Sequence, residues 1–108
     1  MKAERASDPL ATLPLLLSEA ERAAIGRLDL LSNQERAVFV LLGRGLRPKQ
    51  IGGELAISPK TVETHLVRVR AKLGEAEAPI DLADLTFLAR LWVRAADASR
   101  ELRLSGTS

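Results

Sequence analysis

Lys60, Thr61, Glu63, Thr64, Val67, Arg68 and Lys72 fall within one short stretch whose spacing is helical. On a helical wheel, Val62, Leu66, Val69 and Leu73 share a narrow arc and must face a core. Lys60, Thr64, Val67, Arg68 and Ala71 take the opposite arc, with Glu63 and Arg70 on one flank and Thr61, His65 and Lys72 on or near the other. Such an outer arc is short, mostly polar and basic at both ends. It suits non-covalent recognition of a duplex, because a major groove admits one helix. Lys60, Arg68 and Lys72 would reach phosphates, and Thr64 and Glu63 could hydrogen-bond base edges, Glu63 with a preference for a cytosine amino group. Val67 could touch a thymine methyl. The plainer readings make Glu63 a solvated charge and Val67 an incidental exposed residue.

The same residues offer little for covalent chemistry. His65 is the only histidine and has no nucleophile or paired carboxylate beside it in sequence, so it reads as a structural group or a phosphate contact. The absence of cysteine excludes disulfides and thiolate metal sites, and a single histidine excludes a multi-histidine site. No glycine-rich phosphate loop is present. Neither an enzymatic role nor a cofactor or metal is expected. No apolar run approaches the length that crosses a bilayer, and the charged N-terminus lacks the apolar centre of a signal peptide, so a cytoplasmic, membrane-free protein is expected.

Charge points to the same segment. Residues 31–74 hold eight basic side chains (Arg36, Arg44, Arg47, Lys49, Lys60, Arg68, Arg70, Lys72) against Glu35, Glu54 and Glu63, a net of +5, whereas the remainder has eight basic and eleven acidic groups, a net of −3. A chain with a formal charge of only +2 has thus gathered its positive field on one compact stretch.

The elements that must position this row are helical. Leu and Ala dominate the 108 residues, which suffice for one modest core. Residues 1–9 read as a disordered tail. Ser18 and Glu21 form a capping box for a short helix over about 19–27, and the segment Leu10 to Leu31 either covers the core or offers a docking strip. Ser32 and Glu35 form a second box, opening a helix with an inner stripe of Val38, Leu41 and Leu42 beside Ala37. Gly43 and Gly45 end it, one of them left-handed. The echo between residues 17–25 and 31–39 reflects two helix starts with the same capping chemistry. Pro48 begins a helix to about Leu55, and Ser58 caps the next, with Pro59 at its first position and Lys72-Leu73-Gly74 at its end. Asp81 can cap a last helix whose apolar face is Leu82, Leu85, Ala89, Trp92 and Ala96, running to about Ala98 or beyond. Trp92 reads as core or dimer-face packing.

Residues 31–74 resemble the LuxR-type (GerE-like) helix-turn-helix domain of bacterial transcription regulators. The matching positions are Glu35-Arg36, Gly45-Leu46, Lys49-Gln50-Ile51, Leu55, the run from Ile57 through Leu66, and Lys72-Leu73-Gly74. The run KTVETHL followed by KLG at this spacing is highly specific. The resemblance implies an all-α, four-helix helix-turn-helix domain at 31–98, here with a short extra N-terminal helical segment in 1–30 and a tail at 99–108. It further implies DNA contacts at Lys49, Lys60, Thr61 and Lys72 on phosphates and at Glu63, Thr64 and Val67 on bases; Ser58 and Arg68 are counted with them. A homodimer through the fourth helix, at Leu85, Ala89 and Trp92, is implied as well.

Three departures stand out from that family. Arg47 replaces a Ser or Thr, leaving the helix from Pro48 without its usual side-chain cap. Gly52-Gly53 makes that helix loose or closely packed, and the fourth helix starts on an apolar and acidic stretch. Residues 1–30 are too few for a receiver or ligand-binding domain, so the expectation is a stand-alone effector or a detached output domain. The leading function is a sequence-specific regulator binding double-stranded DNA as a dimer, with RNA polymerase or a regulatory protein as further partners. Two alternatives remain: a region-four-like domain of a sigma factor, to which Arg70-Ala71-Lys72-Leu73 also fits, and an interaction module that sequesters a full-length regulator.

Overall fold

The computed structural model describes residues 17–75 and 77–106; the tail expected at 1–9 and the apolar stretch from Leu10 to Leu16 lie outside the described residues. Within them the chain forms α1 (Glu19–Gly26), a 3-10 turn (Leu28–Leu30), α2 (Asn33–Gly43), α3 (Pro48–Leu55), α4 (Pro59–Leu73) and α5 (Leu82–Gly106). Among the described residues the only β pairing is the isolated bridge between Glu75 and Ala78.

Both capping boxes close as their sequences require. The Ser18 hydroxyl accepts from the Glu21 N–H at 3.2 Å and Glu21 accepts from the Ser18 N–H at 2.8 Å. Ser32 and Glu35 repeat the exchange at 3.1 and 2.9 Å. Each box satisfies two of the donors that a helix start leaves without partners. α2 ends before Gly45, whose φ of +91° is a conformation that glycine adopts without a Cβ clash.

One core joins every element. Val38, Phe39 and Leu42 from α2 meet Ile51 of α3, Val62, Leu66, Val69 and Leu73 of α4, and Leu85, Leu88 and Ala89 of α5. Leu17, Ala24, Leu28 and Leu31 close it from the N-terminal side, so the described part of the early segment covers the core. Arg27, just past α1, donates to the Leu73 carbonyl at 3.2 Å and fastens that segment to the end of α4. Beyond α4, Arg70 ties down the link: its carbonyl accepts from the Ile80 N–H at 2.9 Å and its Nε donates to the Ile80 carbonyl at 2.8 Å.

The apolar stripes differ in detail from the expected ones. In α2, Phe39 is buried and Leu41 only half-buried, because Phe39 meets Trp92 edge-to-face, with ring centroids 6.1 Å apart. In α5, Leu88 and Val93 are buried, whereas Leu82, expected inside, is exposed. Two of the three residues assigned to a homodimer contact, Leu85 and Ala89, have no exposed surface, and the third, Trp92, packs on Phe39 beneath the Arg36 guanidinium. Leu85 and Ala89 are therefore spent on the core and cannot form that contact, whereas Trp92 is half-buried and keeps part of its surface outside. The helix also continues past Ala98 to Gly106.

Candidate nucleic-acid interface

α3 and α4 form the helix-turn-helix, and its turn is unusually tight. Ala56 ends α3 in the left-handed conformation at φ 58°, and the Ile57 N–H donates to the Gly52 carbonyl at 3.0 Å. This fold-back brings the turn onto Gly52 itself. A Cβ there would lie 2.6 Å from the Ile57 carbonyl oxygen, so Gly52 is required by close approach, while Gly53 faces open space. The pair of glycines therefore has two separate meanings. Arg47 supplies no side-chain cap, as expected, since guanidinium carries only donors. Half of a capping box survives: the Gln50 side chain accepts from the Arg47 N–H at 2.9 Å.

The Ser58 hydroxyl caps α4 by accepting from the Thr61 N–H at 3.1 Å, and it also pairs with the Thr61 hydroxyl at 2.9 Å. From this fixed start α4 runs for 15 residues with Val62, Leu66, Val69 and Leu73 buried. Lys60, Thr61, Glu63, Thr64, Val67 and Arg68 are all exposed. Val67 stands 61% exposed in the middle of this face. The Thr64 hydroxyl donates back to the Lys60 carbonyl at 3.2 Å, which leaves its lone pairs directed outward as acceptors. Lys49, in the first turn of α3, is exposed as well. Among the described residues, Lys49, Lys60 and Arg68 have no ion-pair partner, so their charge is directed at solvent.

Lys72 is placed differently. Its ammonium donates to Glu35 at 2.7 Å, and the Glu35 side chain is only 5% exposed. Burial opposes the charge on Glu35, but the Lys72 ammonium and the Ser32 N–H and hydroxyl outweigh it and hold the carboxyl below its ordinary value. Lys72 thus anchors the end of α4 to the start of α2, across a sequence separation of 37. Its side chain is 38% exposed, and an ammonium has three donors, so a contact outward remains open. Nothing in the sequence announced this pair, because neither residue lies within helical reach of the other. His65 is half-buried at the edge of α4, with Nδ1 buried and without a hydrogen-bond partner. Among the described residues no cluster of His, Cys, Asp or Glu could hold a metal ion, and no helix is long and apolar enough to cross a membrane.

Comparison with known proteins adds relatives to this geometry. The sequence model described as "Bacterial regulatory proteins, luxR family" matches residues 29–79. The chain is 40% identical over 68 residues to the transcriptional regulatory protein UhpA of Salmonella typhimurium, covering 63% of this chain and 34% of UhpA. It is 38% identical over 76 residues to the transcriptional regulatory protein FixJ of Rhizobium meliloti, covering 70% of this chain and 37% of FixJ. The C4-dicarboxylate transport transcriptional regulatory protein DctR of Rhodobacter capsulatus is 42% identical over 69 residues, covering 64% and 34%. The chain therefore spans about a third of the length of these curated relatives. No solved structure shows a significant match. The match favours the LuxR-type reading over the region-four alternative.

Proposed function

Residues 29–79 belong to the luxR family of bacterial regulatory proteins, and from that premise we propose that the chain binds double-stranded DNA sequence-specifically and regulates transcription. α4 enters the major groove with its outer face. Lys60 and Arg68 neutralise phosphates from the two ends of that face, and Lys49 adds a third from α3. Ser58 and Thr61 fix the helix start against the backbone. Glu63, Thr64 and Val67 meet base edges: an acceptor for a cytosine amino group, a hydroxyl, and an apolar surface for a thymine methyl. Lys72 acts mainly by positioning α4 and reaches phosphate only with the donors Glu35 leaves it. The chain works as a dimer on paired half-sites.

The observation that carries this reading is the combination, on one rigid helix, of a row of exposed reading groups with cations that lack partners among the described residues. Replacing Lys60 and Thr64 together by Ala tests it. The double variant should stay folded, since both positions are exposed, and should lose regulation and operator binding. Unchanged cellular activity in that variant would overturn the reading and favour an interaction module that sequesters another regulator.

A further inference from the structure

α5 turns one face to the core, through Leu85, Leu88, Ala89 and Val93. On its outer side Arg90 and Arg94 stand about one turn apart, and both are exposed. Two cations at this spacing on a helix repel each other unless an anion joins them. The described domain supplies none. Asp97 is the acid next along the helix, but Arg44 donates to both of its carboxylate oxygens at 3.0 and 3.2 Å, and Arg100 stands 4.0 Å from one of them. Among the described residues neither Arg90 nor Arg94 has an ion-pair partner.

The same two guanidiniums border two hollows. One, of about 380 Å³, is lined by Ala83, Phe87 and Leu91 beside Thr86. The other, of about 300 Å³, runs over Gly43, Gly45 and Val93 to Arg44. Phe87 leaves 54% of its surface in solvent. Charge without a counter-ion thus adjoins an apolar hollow, and the combination narrows what fits. A phosphate backbone would meet the arginines but offers nothing apolar to Phe87 and Leu91. A wholly apolar partner would cover two guanidiniums without pairing them, which costs more than it gains. A peptide with carboxylates about one turn apart and a bulky apolar side chain beside them satisfies both requirements. Each carboxylate can take a guanidinium through two parallel hydrogen bonds, and the apolar side chain covers Phe87.

We propose that this face of α5 docks an acidic segment of another protein, anchored by an aromatic or long aliphatic residue. α5 carries this face and α4 the reading face, so DNA and the protein partner use separate side chains. The inference deepens the proposed function by giving its protein partner a surface and a chemistry, and it rests on that reading only for what the docking achieves. Two arginines and one apolar hollow make a small contact, so binding is weak and falls with salt.

Selection from a display library of random short peptides against the full chain, at low salt and without DNA, tests the proposal. Enriched peptides should combine carboxylates with an aromatic or long aliphatic residue. Fluorescence anisotropy of the labelled winner should show binding that R90E/R94E weakens by about tenfold or more. Phe87→Ala should weaken it by about fivefold. K60A/T64A should leave it unchanged, which separates this site from the reading face and its fate from that of the DNA test. Circular dichroism confirms that these surface variants keep their helices. No enrichment, winners without acids, or winners indifferent to R90E/R94E would each overturn the proposal. So would an R90E/R94E chain that loses duplex affinity as fully as K60A/T64A, which would make the face a phosphate site. Sedimentation equilibrium supplies the last outcome: self-association abolished by R90E/R94E would give the face to a second copy and overturn the proposal as well.

Discussion

At the scale of single residues, the Glu35 carboxylate shows how a recognition surface depends on a contact behind it. One oxygen accepts from both the Ser32 N–H and the Lys72 ammonium. Removing the carboxylate takes away one of the two bonds of the α2 capping box and leaves the Lys72 ammonium without its partner. Glu35→Ala should cost about 2–3 kcal/mol in urea unfolding, reduced from a fully buried pair by the partial exposure of Lys72. The carboxyl is held below its ordinary value of 4.5 in the folded chain. Its contribution is therefore complete above that pH and is lost as pH falls through the folded value. Unfolding midpoints should decline on acidification below about pH 4.5, and E35Q should flatten that decline. On the outer face the expected effects are of another kind. Lys60→Ala should weaken binding to all duplexes alike and reduce the salt slope by about one unit per protomer, whereas Thr64→Ala should cost about 1–3 kcal/mol on the best site and relax preference at one position. Binding to matched and mismatched duplexes separates the two.

At the scale of elements, the turn between α3 and α4 sets where the reading face points. Gly52→Ala forces a Cβ against the Ile57 carbonyl, 2.6 Å away, and should destabilise the domain by about 2 kcal/mol or more while disturbing DNA binding. Gly53→Ala meets open space in a helix and should stabilise by about 0.5–1 kcal/mol. Ala56→Gly relieves a left-handed alanine and should stabilise by about 1 kcal/mol. Thermal melts of the three variants give opposite signs for two adjacent glycines. These elements also show what the sequence made legible. The caps at Ser18, Ser32 and Ser58 and the buried arc of α4 follow from local rules, and all appear where those rules put them. The closeness of Gly52 to Ile57, the Glu35–Lys72 pair and the correct inner face of α5 were not legible, because each depends on how one helix lies against another.

At the scale of the whole molecule, one core holds the reading face of α4 and the basic start of α3 in fixed relation. The family match ends at residue 79, before α5 begins at Leu82. If two copies bind paired half-sites about one two-fold axis, the preferred duplex is a palindrome. The most direct measurement is selection of bound duplexes from a randomised pool, with the affinity of the winners followed against salt. A palindrome with half-sites about one helical turn apart is the expected winner. With three or four phosphate-directed cations per copy, affinity should also fall by about a thousandfold or more between roughly 50 and 200 mM salt. No enrichment, with only weak and sequence-blind binding, would contradict the proposed function.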